Sequence, residues 1–230
     1  TIRNIRLWDE TPLLKTLSQL QQIRTYYRFK GIDNDRYFID GKYGQVMLSA
    51  RELSYDDLPS KSWINEKLVF THGSGVAVSH VSRITPEGLP EFIVKDIPPS
   101  SSVKSVKINT PEIYYGELTA KYAIANTKIP EFSYPTAEGN VYGSYKGTGG
   151  VAMSSLWKRL VFASYFKDAK IFLSSDITDT SRILYFRNIT DRIKKTVPFL
   201  LVDQDPYIVI SDNGKLYWMV DTYTSSSWLP

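Results

Sequence analysis

The stretch VAVSHVSRITPEGLPEFIVKDIPP, residues 76–99, decides the fold. Two β-prone runs, 76–84 and 91–96, are parted by Thr85-Pro86-Glu87-Gly88-Leu89-Pro90 and closed by Pro98-Pro99. Proline donates no ladder hydrogen bond, so it collects at strand ends, edges and turns. The same texture runs over 69–145, where further strands are predicted at 112–117, 121–126 and 141–145, broken by Pro111, Pro130 and Pro135. Upstream, Tyr37–Ile39 and Tyr43–Leu48 flank Gly41 and read as another strand pair.

Helical patterns lie on either side of this strand-rich block. In 11–24, Leu13, Leu14, Leu17, Leu20 and Ile23 recur at helical spacing behind Thr11 and Pro12. A short helix is expected in 60–68 and longer ones over 151–166 and 178–196, the last stopped by Pro198. Asp212-Asn213-Gly214 between 207–210 and 216–220 predicts a C-terminal hairpin with positive φ at its centre. Strands followed by helices define an α+β class built on antiparallel sheet. One domain over 1–230 is expected. The alternative is a pair of lobes, 1–148 and 151–230, hinged at Gly149-Gly150.

The composition excludes several functions. The 230 residues contain no Cys, which removes disulfides, thiolate nucleophiles and Cys-ligated metals. With 2 His, no three-histidine metal site is available. The net charge of +4 is spread among interleaved acids and predicts no nucleic-acid partner. No run approaches the roughly 18 apolar residues of a membrane span. The opening at Thr1 reads as a fragment or a processed chain.

An ordered series of motifs carries a family resemblance. It includes Asp35-Arg36-Tyr37, Gln45 to Leu53 (QVMLSAREL), Thr71-His72-Gly73, Thr85 to Pro90 and Lys95 to Pro99. It continues through Pro111 to Glu117, Asn126-Thr127-Lys128, Arg182 to Tyr185, Arg187-Asn188-Ile189, Asp205-Pro206-Tyr207 and Leu216-Tyr217-Trp218. From end to end the chain resembles uncharacterised protein family 0182, large bacterial and cyanobacterial membrane proteins. The resemblance implies a cell-membrane protein whose spanning helices precede a large extramembrane region, to which this chain would belong. It implies the spanning part of the same polypeptide as a partner. It brings no catalytic residue with it.

Weak chemical candidates remain. His72 beside Gly73-Ser74-Gly75, Glu112 and Glu117 are the candidate catalytic groups, the carboxylates for glycoside hydrolysis. Against each stands a plain structural role, a histidine bonding its turn or an acid facing water. Asp33, Asp35 and Asp40 have the oxygen density of a calcium loop but not the EF-hand spacing, and no other cofactor is expected. In 151–166, Trp157, Lys158, Arg159 and Phe162 combine aromatic and basic character suited to lipid headgroups or a partner, against the plain reading of a core helix. The function expected is non-enzymatic: an extracytoplasmic portion of a membrane protein serving binding, assembly or sensing at the envelope. The alternative is an envelope hydrolase acting on glycan or peptidoglycan fragments, suggested by 16 Tyr and 5 Trp that also suit contact with envelope glycans.

Overall fold

The computed structural model describes residues 4–225. In chain order its principal elements are α1 (Glu10–Gln21), β1 (Asp33–Ile39), β2 (Lys42–Ala50), β3 (Val76–Ile84), β4 (Pro90–Lys95) and β5 (Ser100–Ser101). There follow β6 (Ala123–Ala125), β7 (Glu131–Thr136), β8 (Gly139–Gly143), β9 (Val151–Ala152), α2 (Leu156–Phe166) and α3 (Lys170–Leu173). The chain ends with β10 (Arg182–Leu184), α4 (Ile189–Thr196), β11 (Tyr207–Ile210) and β12 (Leu216–Met219). The class is α+β, with antiparallel sheets throughout. Two compact units form from interleaved segments: residues up to 57, 72–119 and from 188 onward in the first, 58–71 and 120–187 in the second. Gly149 and Gly150 lie inside the second unit.

In the first unit β1 to β5 form a meander, each strand beside the next in sequence. Asp40 and Gly41 both take positive φ, 50° and 76°, which matches the right-handed twist of the β1–β2 hairpin. Successive side chains of β2 point to opposite faces. Val46, Leu48 and Ala50 join Val76, Val78, Ile208 and Ile210 in one buried cluster, so the β11–β12 hairpin covers that face. Met47, on the other face, meets Ala77, Val81 and the α1 residues Leu13 and Leu17. Leu13 and Leu17 are four residues apart and therefore share one side of α1. The hairpin β11–β12 occupies the expected place, but only Gly214 of its loop has positive φ, 74°. Five residues, 211–215, connect the strands instead of a two-residue turn.

In the second unit β10 is the centre of a three-stranded sheet in the order β6-β10-β9. Ile183 sits opposite both Ile124 and Val151 and is fully buried. The helix expected over 178–196 therefore breaks into β10 and α4. Phe186 adopts φ 46°, and the Asn188 side chain caps α4 by accepting from Asp191 N–H at 3.1 Å. The sequence signals for one helix, a polar opening and a stop at Pro198, are local; pairing on both edges of β10 overrides them. Likewise 151–166 divides into β9 and α2, since Ser155 accepts from Lys158 N–H and starts the helix. Gly150, at φ 71°, must be glycine: a β-carbon there would lie 2.5 Å from the Ile183 carbonyl oxygen. The short helix expected in 60–68 is a π-helical turn at Asn65–Val69.

Leu17→Ala removes a buried side chain from the layer between α1 and the sheet. It should lower unfolding free energy by about 2–5 kcal/mol in chemical denaturation followed by circular dichroism. Unchanged stability would contradict the packing of α1 on β2 and β3.

Candidate functional site

The first unit buries two charges at consecutive positions, Arg51 and Glu52, and neither was singled out from the sequence. Their side chains meet different sets of partners. Arg51 donates to the Gln21 carbonyl at 2.8 Å, the Ser74 carbonyl at 2.8 Å and the Asp96 carbonyl at 3.3 Å. Its guanidinium also lies 5.4 Å from the Phe29 ring centre. Glu52, 1% exposed, accepts from the backbone N–H of Glu117 and Leu118, each at 3.0 Å. Gly116 leaves the space for this carboxylate: a β-carbon would come within 2.0 Å of its Oε2.

Burial pushes the Glu52 carboxyl up to about 7, against the opposing pull of the two backbone donors. Asp33 is likewise pushed up to about 7 by burial, although its Oδ2 accepts from Ile208 N–H at 2.9 Å. The Glu117 charge raises both, so the structure brings Asp33 and Glu117 into one acidic neighbourhood with Glu52. Lys30 donates to Glu117 Oε1 at 2.7 Å and tempers the neighbourhood.

The other sequence candidates fall elsewhere. Glu112 is exposed and pairs across from Ser74. His72 is buried; its Nδ1–H donates to the Gly73 carbonyl at 2.9 Å, and its ring lies 4.9 Å from that of Tyr114. Asp35 accepts from Arg36 N–H, and Asp40 is exposed in the β1–β2 turn. Among the described residues no group of three or more His, Cys, Asp or Glu side chains is placed to hold a metal ion.

In the second unit α2 is apolar on both sides. Its inner side chains Phe162, Ala163 and Phe166 pack with Ile171, Ile177, Ile183 and Met153. On the outer side Leu156, Trp157, Leu160, Val161 and Tyr165 are all exposed, Trp157 by 71% and Leu156 by 66%. Of the residues expected at a membrane or partner contact, Trp157 and Lys158 face outward. Phe162 turns inward, and Arg159 donates from Nη2 to the Ile177 carbonyl at 2.7 Å.

Beneath α2 a polar knot fixes the helix end. Trp63 Nε1–H donates to Asp168 Oδ2 at 2.8 Å, and the Tyr122 hydroxyl donates to the same oxygen. Lys67, on the π-turn, lies 4.5 Å from the Tyr122 ring centre, and burial lowers its ammonium to about 8. Sequence reading passed over Lys67 because nothing local marks a lysine as buried.

Fold and site together define a strand-rich α+β chain with buried charges in one unit and an uncovered apolar helix face in the other. Its relatives give it a family. The chain belongs to UPF0182, an uncharacterised protein family whose model matches residues 1–230. It is 62% identical over 230 residues to the UPF0182 protein of Geobacter sulfurreducens, covering 100% of this chain and 26% of that protein. It is 52% identical over 232 residues to the UPF0182 protein of Desulforamulus reducens, covering 100% of this chain and 25% of that protein. The chain thus spans about a quarter of the length of the curated relatives it matches. No solved structure matches it.

The raised carboxyl of Glu52 has a signed consequence. Between its ordinary value of 4.5 and about 7 the folded chain holds more protons than the unfolded chain, so stability falls as pH rises. Glu52→Gln removes this dependence, its neutral amide standing in for the protonated carboxyl. The stability of the wild type relative to Glu52→Gln in urea unfolding should therefore fall by about 3 kcal/mol from pH 4.5 to 7.5. A constant difference would place the Glu52 carboxyl near its ordinary value.

Proposed function

We propose that this chain is an extracytoplasmic, non-enzymatic part of a larger membrane protein, and that the outer face of α2 rests on the anionic lipid surface beside the spanning segments. The carrying observation is the row Leu156, Trp157, Leu160, Val161 and Tyr165, exposed on a helix whose inner side is already packed. Soluble monomers seldom leave a contiguous apolar patch of more than a few hundred Å² uncovered.

The charges around the row support lipid as the occupant. Lys158, Lys167 and Lys170 are exposed in and just after α2, and this stretch has one acid, Asp168, engaged with Trp63 and Tyr122. Trp and Lys at the rim of an apolar face suit the headgroup boundary, where each basic residue contributes about 1 kcal/mol. The small share of each relative that the chain covers supports a role within a larger polypeptide. The absence of cysteine supports an oxidising, extracytoplasmic setting. Among the described residues no helix is long and apolar enough to cross a membrane, so the contact proposed is with the surface.

The test is co-sedimentation with vesicles of phosphatidylcholine and phosphatidylglycerol at low salt. The wild-type chain should bind, and Lys158→Glu with Lys170→Glu should weaken binding by at least about thirty-fold, two charges at about 1 kcal/mol each. Unchanged melting would separate this loss from unfolding. No binding by the wild type, or binding indifferent to both substitutions, would overturn the lipid reading.

A further inference from the structure

A second surface lies in the first unit, and nothing about α2 bears on it. β2 and β3 pair from Val46↔His80 to Ala50↔Val76, and the pairing stops there. Beyond that point both strands continue, β2 back to Lys42 and β3 on to Ile84, without pairing to each other. The N-terminal segment enters this fork: Leu7 N–H donates to the Val81 carbonyl at 2.9 Å, and Asn4 Oδ1 accepts from Gln45 N–H at 3.2 Å. What remains between the strands is a cleft of about 460 Å³, within the usual size of a small-molecule site.

Three properties of the cleft define its ligand. It is lined by short-range donors and acceptors of every kind, among them Asp40, Gln45, His80, Ser82 and Arg83. Its charges are nearly balanced: Lys42 and Arg83 line it with Asp40, and Glu91, beside the lining, places its carboxylate 3.7 Å from Arg83. A nearly balanced site offers little field to concentrate an ion. Finally, Tyr43 stands at the edge with 73% of its surface exposed, held edge-on by Phe38 at 5.6 Å between ring centres. A braced and exposed ring beside dense polar groups supplies an apolar face with hydrogen-bonding capacity around it.

We propose that this cleft is a binding site for a neutral saccharide. A sugar ring is an uncharged body with apolar C–H faces and a rim of hydroxyls that both donate and accept. Tyr43 would take the C–H face, while Gln45, Ser82 and His80 take hydroxyls. His80 suits this role as a neutral imidazole, with one donor and one acceptor, and burial favours that form.

The experiment is a titration of the nitrogen-15-labelled chain followed by amide NMR. The probes are the glucose and N-acetylglucosamine tetrasaccharides, with inorganic phosphate and a galacturonate tetrasaccharide as charged comparisons. At least one neutral probe should shift the amides of residues 42–45 and 80–83 in a saturable manner. Tyr43→Ala should weaken that binding at least tenfold, Tyr43→Phe should retain it, and Tyr217→Ala, another exposed aromatic, should leave it unchanged. Retained native amide dispersion in Tyr43→Ala excludes unfolding as the cause. The proposal is overturned if neither neutral probe binds, if binding survives Tyr43→Ala, or if a charged probe binds these amides more tightly.

Discussion

The burial of Arg51 and Glu52 side by side is the constraint around which the first unit is arranged. An unpaired buried charge costs several kcal/mol, and these two side chains do not share partners. Each is answered instead by backbone dipoles drawn from distant segments. Arg51 takes the last carbonyl of α1 together with those of Ser74 and Asp96, closing the helix end with a cation. Glu52 takes two N–H groups from the segment after Gly116. Four stretches far apart in sequence are thereby fixed to one dipeptide. A lysine at position 51 could not reproduce the planar, several-pronged donation of the guanidinium.

The strand framework was legible because its signals are local. Prolines and glycines parted the β-prone runs of 76–99, and Gly41 marked the first hairpin. What local pattern could not convey was pairing. A polar opening and the stop at Pro198 read as one helix, and only neighbours on both edges made part of that segment β10. The charged pair was missed for a related reason. Arg51 and Glu52 follow an apolar run and precede Leu53, but a sequence does not show where the compensating carbonyl and N–H groups come from. Of the site candidates, Asp33 and Glu117 do come together, through the raised carboxyls of Asp33 and Glu52 and not through any metal geometry.

The second unit has the opposite character, since its informative feature is an interaction left unmade. The inner side of α2 meets the core and the outer side is apolar as well, although a helix on the surface of a globular protein ordinarily turns polar residues outward. The polar knot of Trp63, Tyr122 and Asp168 is satisfied internally, so it anchors the helix end without competing for an outside partner. An exposed apolar face with lysines beside it supports docking as its role.

Contact of the outer side of α2 with a lipid surface, as proposed, is open to direct measurement. A chain without cysteine allows a single nitroxide label to be placed there through Val161→Cys, with Ser105→Cys in the first unit as reference. Power-saturation electron paramagnetic resonance with phosphatidylglycerol-containing vesicles reads the depth of each label. On lipid contact the label at 161 gains accessibility to oxygen and loses accessibility to a polar nickel chelate, while the label at 105 stays aqueous. A label at 161 that remains as accessible to the chelate with vesicles as without them would contradict the proposed contact.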